Sequence, residues 1–89
     1  MATIKIEKET PQRLQELNVD SWSTWECEPS TFDWQYSSDE IAHIKKGRAI
    51  VKTDTHEVEI KAGDIVTFPK GMKCVWEVVE KISKVYTFA

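Results

Sequence analysis

Short runs of strand-forming residues, separated by turn residues, make up the sequence from Ser21 onward. The runs are rich in Trp, Phe, Tyr, Val and Ile, and a break recurs about every eight to twelve residues, which is the pattern of a β-sandwich or barrel. The predicted breaks are Glu28–Ser30, Ser37–Asp39, Gly47, Thr53–Thr55, Ala62–Asp64 and Pro69–Gly71. A chain of 89 residues has room for one hydrophobic core. We therefore expect a single all-β domain over residues 1–89.

The N-terminal segment carries the predicted helix. Isoleucines alternate with lysines in TIKIEKE as they do in a short strand. Thr10 is then suited to be an N-cap with Pro11 in the first turn, and Asn18 is suited to end the helix in the left-handed conformation. The sequence predicts a short strand and helix over about residues 3–18 and the barrel over about 21–88.

Composition limits the partners that this chain can have. Twelve Lys and Arg stand against 15 Asp and Glu, giving a net charge of -3 with no long run of one sign. No basic surface for a phosphate backbone is indicated, so we predict no nucleic-acid partner. The N-terminus is charged and no segment approaches a membrane span, which predicts a cytoplasmic protein with no membrane partner. Cys27 and Cys74 are too few for a disulfide scaffold, and we expect free thiols.

The stretch GDIVTFPKGMKC carries a family resemblance. Gly63, Pro69 and Gly71 fall on the fixed positions of G-x5-P-x-G-x2-H, the second signature of the cupin superfamily, which this chain resembles. Cys74 stands at the histidine of that pattern. The glycines and the proline are also what sharp turns require, since they supply positive φ and a fixed φ respectively.

The first cupin signature, G-x5-H-x-H-x3-E-x6-G, is only partly kept. Counting back from Gly47 places Glu40 on its glutamate, and Trp34 and Tyr36 on its two histidines. The resemblance implies an all-β, single-domain cupin jelly-roll barrel with one short N-terminal helix. The flanking stretches WSTWECEPSTFDWQY and FPKGMKCVW look most like the small cupins related to ureidoglycine aminohydrolase.

The same resemblance implies a homodimer that pairs through its sheets. Exposed strand edges would serve such pairing. Outward apolar side chains would serve it too, and we expect Ile41 and Val51 to be among them.

Strand alternation assigns side chains to shared faces, and the resemblance implies that these faces point into the barrel. The expected cavity residues are Trp25, Cys27, Trp34, Tyr36, Glu40, Cys74 and Trp76. Such a cavity would bind a small molecule that is polar or carbonyl-bearing. The alternative is a small barrel filled by its own side chains.

Glu40 is the candidate catalytic residue. A carboxylate inside an apolar cavity is costly unless it is paired or hydrogen-bonded, and the Tyr36 hydroxyl or tryptophan N–H groups are candidate donors. A buried Glu40 could act as a general acid or base, so a metal-dependent or Glu40-based hydrolase related to ureidoglycine aminohydrolase is the alternative function. A surface position without a role is also open.

Metal-binding cupins typically use three histidines and the glutamate, and here Glu40 and the softer Cys74 are the remaining ligands. We therefore predict no metal and no other cofactor. His43 is expected on the face opposite Glu40, and His56 on a hairpin, each as a surface or hydrogen-bonded histidine. Burial is expected to raise the pKa of the Cys74 thiol and leave it inert.

Overall fold

The computed structural model describes residues 3–88, and most of these residues form antiparallel strands. The elements are β1 (Lys5–Lys8), α1 (Pro11–Leu17), β2 (Ser23–Cys27), β3 (Ser30–Gln35), β4 (Glu40–Lys52), β5 (Glu57–Lys61), β6 (Asp64–Phe68) and β7 (Lys73–Phe88). A single 3₁₀ turn, Val19–Ser21, follows α1. Within residues 3–88, no helix has the length and apolar character needed to cross a membrane. The predicted all-β architecture with one short helix is confirmed.

Helix α1 begins and ends as the sequence predicts. The Thr10 side-chain oxygen accepts a hydrogen bond of 3.0 Å from the backbone N–H of Arg13, and Pro11 is the first helical residue. Asn18 ends the helix with φ 56°, in the left-handed region. Local capping chemistry alone therefore fixes both ends of this helix.

Strands β4 and β7 pair with each other along most of their length and hold the other strands in place. Residues 40–43 of β4 pair with β6, which pairs with β1, while residues 48–52 pair with β5. Likewise, residues 73–78 of β7 pair with β3 and residues 82–86 pair with β2. Two half-sheets thus share β4 and β7, and side chains from both halves meet in one hydrophobic core.

The bend between the half-sheets lies at Gly47. The β4–β7 pairing is irregular between Ile44 and Ala49, and Gly47 has φ 85°. A Cβ at this position would come within 2.0 Å of the Lys81 carbonyl oxygen. The predicted turn at Gly47 is wrong: β4 continues through it as a bulged strand, because glycine lets the chain bend without leaving the sheet.

The same irregularity changes which β4 residues point inward. Ala42 and Ile44 are fully buried before the bend, and Ala49 and Val51 are fully buried after it, so the inward parity changes from even to odd numbers. The prediction that Val51 points outward is therefore wrong, while Ile41 is half-buried. The homodimer stays a prediction, and its interface would have to use residues other than Val51.

Candidate functional site

A cavity of about 230 Å³ opens between the two half-sheets. It is lined by Trp25, Phe32, Trp34, Tyr36, Glu40, Trp76, Lys84, Tyr86 and Phe88. We call this space the aromatic cavity, because seven of those nine side chains carry aromatic rings. Five of the seven predicted cavity residues line it.

The polar end of the aromatic cavity is one ion pair. Glu40, at the start of β4, accepts a hydrogen bond of 2.6 Å from the ammonium group of Lys84 on the neighbouring strand β7. Both side chains are buried, with exposed fractions of 5% for Glu40 and 7% for Lys84. Glu40 thus points toward the cavity. Its donor, however, is Lys84, which the sequence reasoning missed, and not Tyr36 or a tryptophan.

The Lys84 ammonium lies among aromatic rings. It is 4.9 Å from the ring centroid of Trp76, 5.0 Å from that of Trp25, and 5.5 Å from that of Tyr86. These are cation–π distances, so the rings replace part of the hydration that the ammonium loses. Burial lowers the pKa of Lys84, and the negative charge of Glu40 opposes that shift.

Tyr36 and Trp76 form the hydrogen-bonded wall of the aromatic cavity. The Trp76 indole N–H donates to the Tyr36 hydroxyl oxygen over 3.2 Å. The Tyr36 ring stacks on Phe68 with centroids 4.8 Å apart. Burial, with a smaller effect from the charge of Glu40, raises the pKa of Tyr36. Tyr36 therefore keeps its proton. Its oxygen is the acceptor in the hydrogen bond from Trp76, so the hydroxyl proton can be donated to a ligand.

The two thiols do not line the aromatic cavity, contrary to prediction. Cys27 pairs with Ile82, toward the bend, and its sulfur donates to the Glu28 carbonyl oxygen at 3.3 Å. Cys74 is buried in the core, and its short side chain leaves the larger rings to form the cavity surface. Both are free cysteines, as expected. Burial raises the pKa of Cys74 to about 11, so its thiol stays protonated near neutral pH.

The donor set does not fit the metal of histidine-bearing cupins. The three positions that match the histidines hold Trp34, Tyr36 and Cys74. The carboxylate of Glu40 is already paired with a cation, the ammonium group of Lys84. Within residues 3–88, no cluster of three or more His, Cys, Asp or Glu side chains is arranged to hold a metal ion. The absence of a bound metal itself stays a prediction.

His43 lies on the opposite face of β4 from Glu40, as predicted, but its environment differs from the prediction. It is buried, and neither ring nitrogen has a hydrogen-bond partner within residues 3–88. The nearest acid is Glu9, whose carboxylate lies 3.5 Å from the His43 Nε2 atom. The expectation of a surface or hydrogen-bonded histidine is wrong, because side chains between Pro11 and Thr24 lie beside His43 and leave only 7% of it exposed. His56, in contrast, is exposed on the hairpin.

We expect His43→Leu to raise the free energy of unfolding by about 1 kcal/mol, because it removes buried polar atoms that lack partners and keeps an apolar side chain of similar size. Urea denaturation followed by circular dichroism measures the change. His56→Leu is the matched control and should shift stability by less than about 0.5 kcal/mol. A His43→Leu protein that is less stable than the wild type would contradict the expectation.

The jelly roll of two half-sheets, with Glu40 of the cupin signature at the start of β4 and a cavity between the sheets, defines this protein as a cupin. Residues 14–86 match the EutQ-like cupin domain family. The chain belongs to that family. The finer resemblance, to the ureidoglycine aminohydrolase group, is not confirmed, and the alternative function of a metal-dependent or Glu40-based hydrolase is not favoured.

Known structures and sequences agree with this assignment. A DUF861 family protein from Thermotoga maritima is 44% identical, with a TM-score of 0.95 over 98% of this chain and 100% of that one. The EutQ protein of Clostridium difficile shares the fold, with a TM-score of 0.68 and 24% identity over 96% of this chain and 66% of that one. In sequence, 61 residues are 30% identical to a Clostridioides difficile protein named acetate kinase EutQ. The match covers 68% of this chain but 39% of that relative's length.

Proposed function

We propose that this cupin binds a small, uncharged, carbonyl-bearing molecule in the aromatic cavity. The observation that carries the proposal is the Glu40–Lys84 pair at the polar end of a cavity whose walls are otherwise aromatic. Such a site combines apolar surface, which holds a ligand body, with a few polar groups that orient it.

The size of the cavity limits the ligand. Its volume of about 230 Å³ is below the roughly 300–1,000 Å³ of sites for drug-sized ligands. The Trp34 and Phe88 side chains are 51% and 56% exposed and stand at the rim, which gives access from solvent. A single ring or a short branched chain with one polar group matches this space.

The charges of the site favour a neutral ligand. Glu40 and Lys84 together carry no net charge, so a carboxylate ligand would add one uncompensated negative charge to a buried place. Lys84 has three N–H donors and gives one of them to Glu40. The other two N–H groups and the Tyr36 hydroxyl can donate to a carbonyl oxygen. An aldehyde, a ketone or an amide supplies that oxygen without a charge.

The activity in the name of the acetate kinase EutQ relative is not part of this proposal. The chain spans only 39% of that protein. Among the described residues that line the aromatic cavity, Lys84 is the single cation, and it is already paired with Glu40. Phosphoryl transfer relies on several cationic groups or metal ions around the phosphates.

A fluorescence titration tests the proposal. Benzaldehyde, benzamide, cyclohexanone and benzoate are added separately, and tryptophan emission is followed, since Trp25, Trp34 and Trp76 line the aromatic cavity. We expect saturable changes with the first three compounds and a weaker response to benzoate, because its charge is uncompensated in the site. No saturable change with any of the neutral compounds would overturn the proposal.

Two matched variants locate the binding. Trp34→Ala removes a rim residue of the cavity and should weaken binding about tenfold, which corresponds to about 1.4 kcal/mol. Trp22→Ala removes a tryptophan from the outer groove beside α1 and should leave the affinity unchanged. Equal losses in both variants would place the binding outside the aromatic cavity.

A further inference from the structure

Lys84 differs from every other lysine of the chain in its surroundings. The nine other lysines, all within residues 3–88, are exposed, whereas Lys84 is buried and lines the aromatic cavity. Its position is fixed from both sides, because β7 places it opposite Ile44 on β4 and opposite Trp25 on β2. A buried amine at the end of a cavity is in position to react with a bound ligand and not only to orient it.

The neighbours of Lys84 are those that an amine nucleophile needs. Glu40 lies 2.6 Å away and can accept a proton from the ammonium. Four rings, those of Trp25, Phe68, Trp76 and Tyr86, lie 4.9–5.7 Å from the nitrogen and limit its contact with water. An apolar surrounding favours the neutral amine over the ammonium, which is how nucleophilic lysines are activated.

We infer that Lys84 forms a covalent imine with the aldehyde or ketone group of the ligand that occupies the aromatic cavity. The inference rests on the proposed function, because it needs a carbonyl compound bound beside Lys84. It goes further in assigning Lys84 as the reacting group and Glu40 as the group that moves the proton.

The reaction balances without any additional reactant. Glu40 takes one proton from the Lys84 ammonium, and the neutral nitrogen forms a bond to the carbonyl carbon while the carbon–oxygen π electrons move to oxygen. Proton transfer from nitrogen to that oxygen gives a carbinolamine. Glu40 then returns its proton to the carbinolamine hydroxyl, which leaves as water, and the nitrogen lone pair forms the C=N bond. The net change is ammonium plus carbonyl compound to protonated imine plus one water.

The site also suits the product. The protonated imine carries the same single positive charge as the ammonium, so its ion pair with Glu40 is kept. The rings that faced the ammonium can face the imine cation in the same way. Exclusion of water by those rings slows hydrolysis of the imine.

Reductive trapping tests the inference. The intact protein is incubated with benzaldehyde and sodium cyanoborohydride near neutral pH, which converts an imine into a stable secondary amine. The labelled lysine then gains the mass of benzaldehyde less one oxygen atom. Peptide mapping by mass spectrometry measures the labelling rate at each lysine. We expect Lys84 to be labelled about tenfold faster than the exposed Lys81, because a desolvated amine is the better nucleophile.

Two controls give each outcome a meaning. Benzyl alcohol, which has the same ring but no carbonyl, should slow labelling at Lys84 and leave Lys81 unchanged. Glu40→Gln removes the proton acceptor and should reduce the Lys84 labelling rate about tenfold, while the rate at the exposed Lys81 in the same protein stays unchanged. Saturable binding with Lys84 labelled no faster than Lys81 would overturn the imine and leave the proposed function standing. Absence of both binding and selective labelling would overturn both.

Discussion

Lys84→Met is expected to lower the free energy of unfolding by about 3–5 kcal/mol, because it leaves the buried carboxylate of Glu40 without its cation. The pair is enclosed, with side-chain exposures of 7% and 5%, so water replaces the lost partner only in part. A domain of this size has a total stability of about 5–15 kcal/mol. The melting temperature should therefore fall by on the order of 20 °C, as measured by circular dichroism and calorimetry.

A double variant separates the cost of an unpaired charge from the value of the pair. Glu40→Leu combined with Lys84→Met replaces both partners by apolar side chains and should recover most of the lost stability, since isosteric replacement of a buried pair is often neutral or stabilising. Lys81→Met, at an exposed lysine that pairs loosely with Glu28 over 3.5 Å, should change stability by less than about 0.5 kcal/mol. A double variant as unstable as Lys84→Met would contradict the assignment of the loss to an unpaired charge.

Gly47→Ala is expected to cost about 2–5 kcal/mol, the sum of about 1–2 kcal/mol for a left-handed residue and about 1–3 kcal/mol for overpacking. The added Cβ would lie 2.0 Å from the Lys81 carbonyl oxygen, and β7 cannot move away from β4 at the bend without losing pairs. Urea denaturation measures the loss.

Gly71→Ala is the matched control for Gly47→Ala. Gly71 has φ 84°, almost the same as the 85° of Gly47, but no atom lies within 4 Å of its added Cβ. It should cost only the backbone strain of about 1–2 kcal/mol. Equal losses of stability in the two variants would show that the close approach of β7 contributes nothing to the cost of Gly47→Ala.

Local patterns in the sequence predicted much of the fold. The ends of α1 follow from Thr10, Pro11 and Asn18, because capping depends on neighbours in the chain. The positive φ of Gly63 and Gly71 follows from the same kind of local rule. Strand parity puts the alternate side chains of β3 on one face, and the cupin resemblance predicted that this face and Glu40 point into the barrel, where both line the cavity.

Strand parity failed to predict the inward-facing side chains of β4, because this strand is long and contains a bulge. Glycine is typical of turns, yet the chain stays in the sheet at Gly47. The inward-facing residues are even-numbered up to Ile44 and odd-numbered from Ala49 to Val51. Whether a glycine makes a turn or a bulge depends on a partner strand 34 positions later in the chain, and sequence spacing does not contain that information.

The absence of Lys84 from the predicted site has another cause. Lysine is almost never fully buried unless it is paired, so its residue type alone favours a surface position. A signal was present nonetheless: Ile82, Lys84 and Tyr86 alternate along β7, and the parity that puts Ile82 in the core puts Lys84 there too. A buried acid such as Glu40 also requires a partner, which is a second signal for an inward base.

Strand β7 also sets the order in which the barrel can assemble during synthesis. β2 and β3 both pair with β7 and with no other strand of residues 3–88. A ribosome that has released the chain only as far as residue 72 therefore exposes two strands with unsatisfied edges, which are prone to pair with other nascent chains. Closure of the barrel must wait until residues 73–88 have left the exit tunnel. Any delay in their emergence therefore lengthens the period in which aggregation competes with folding.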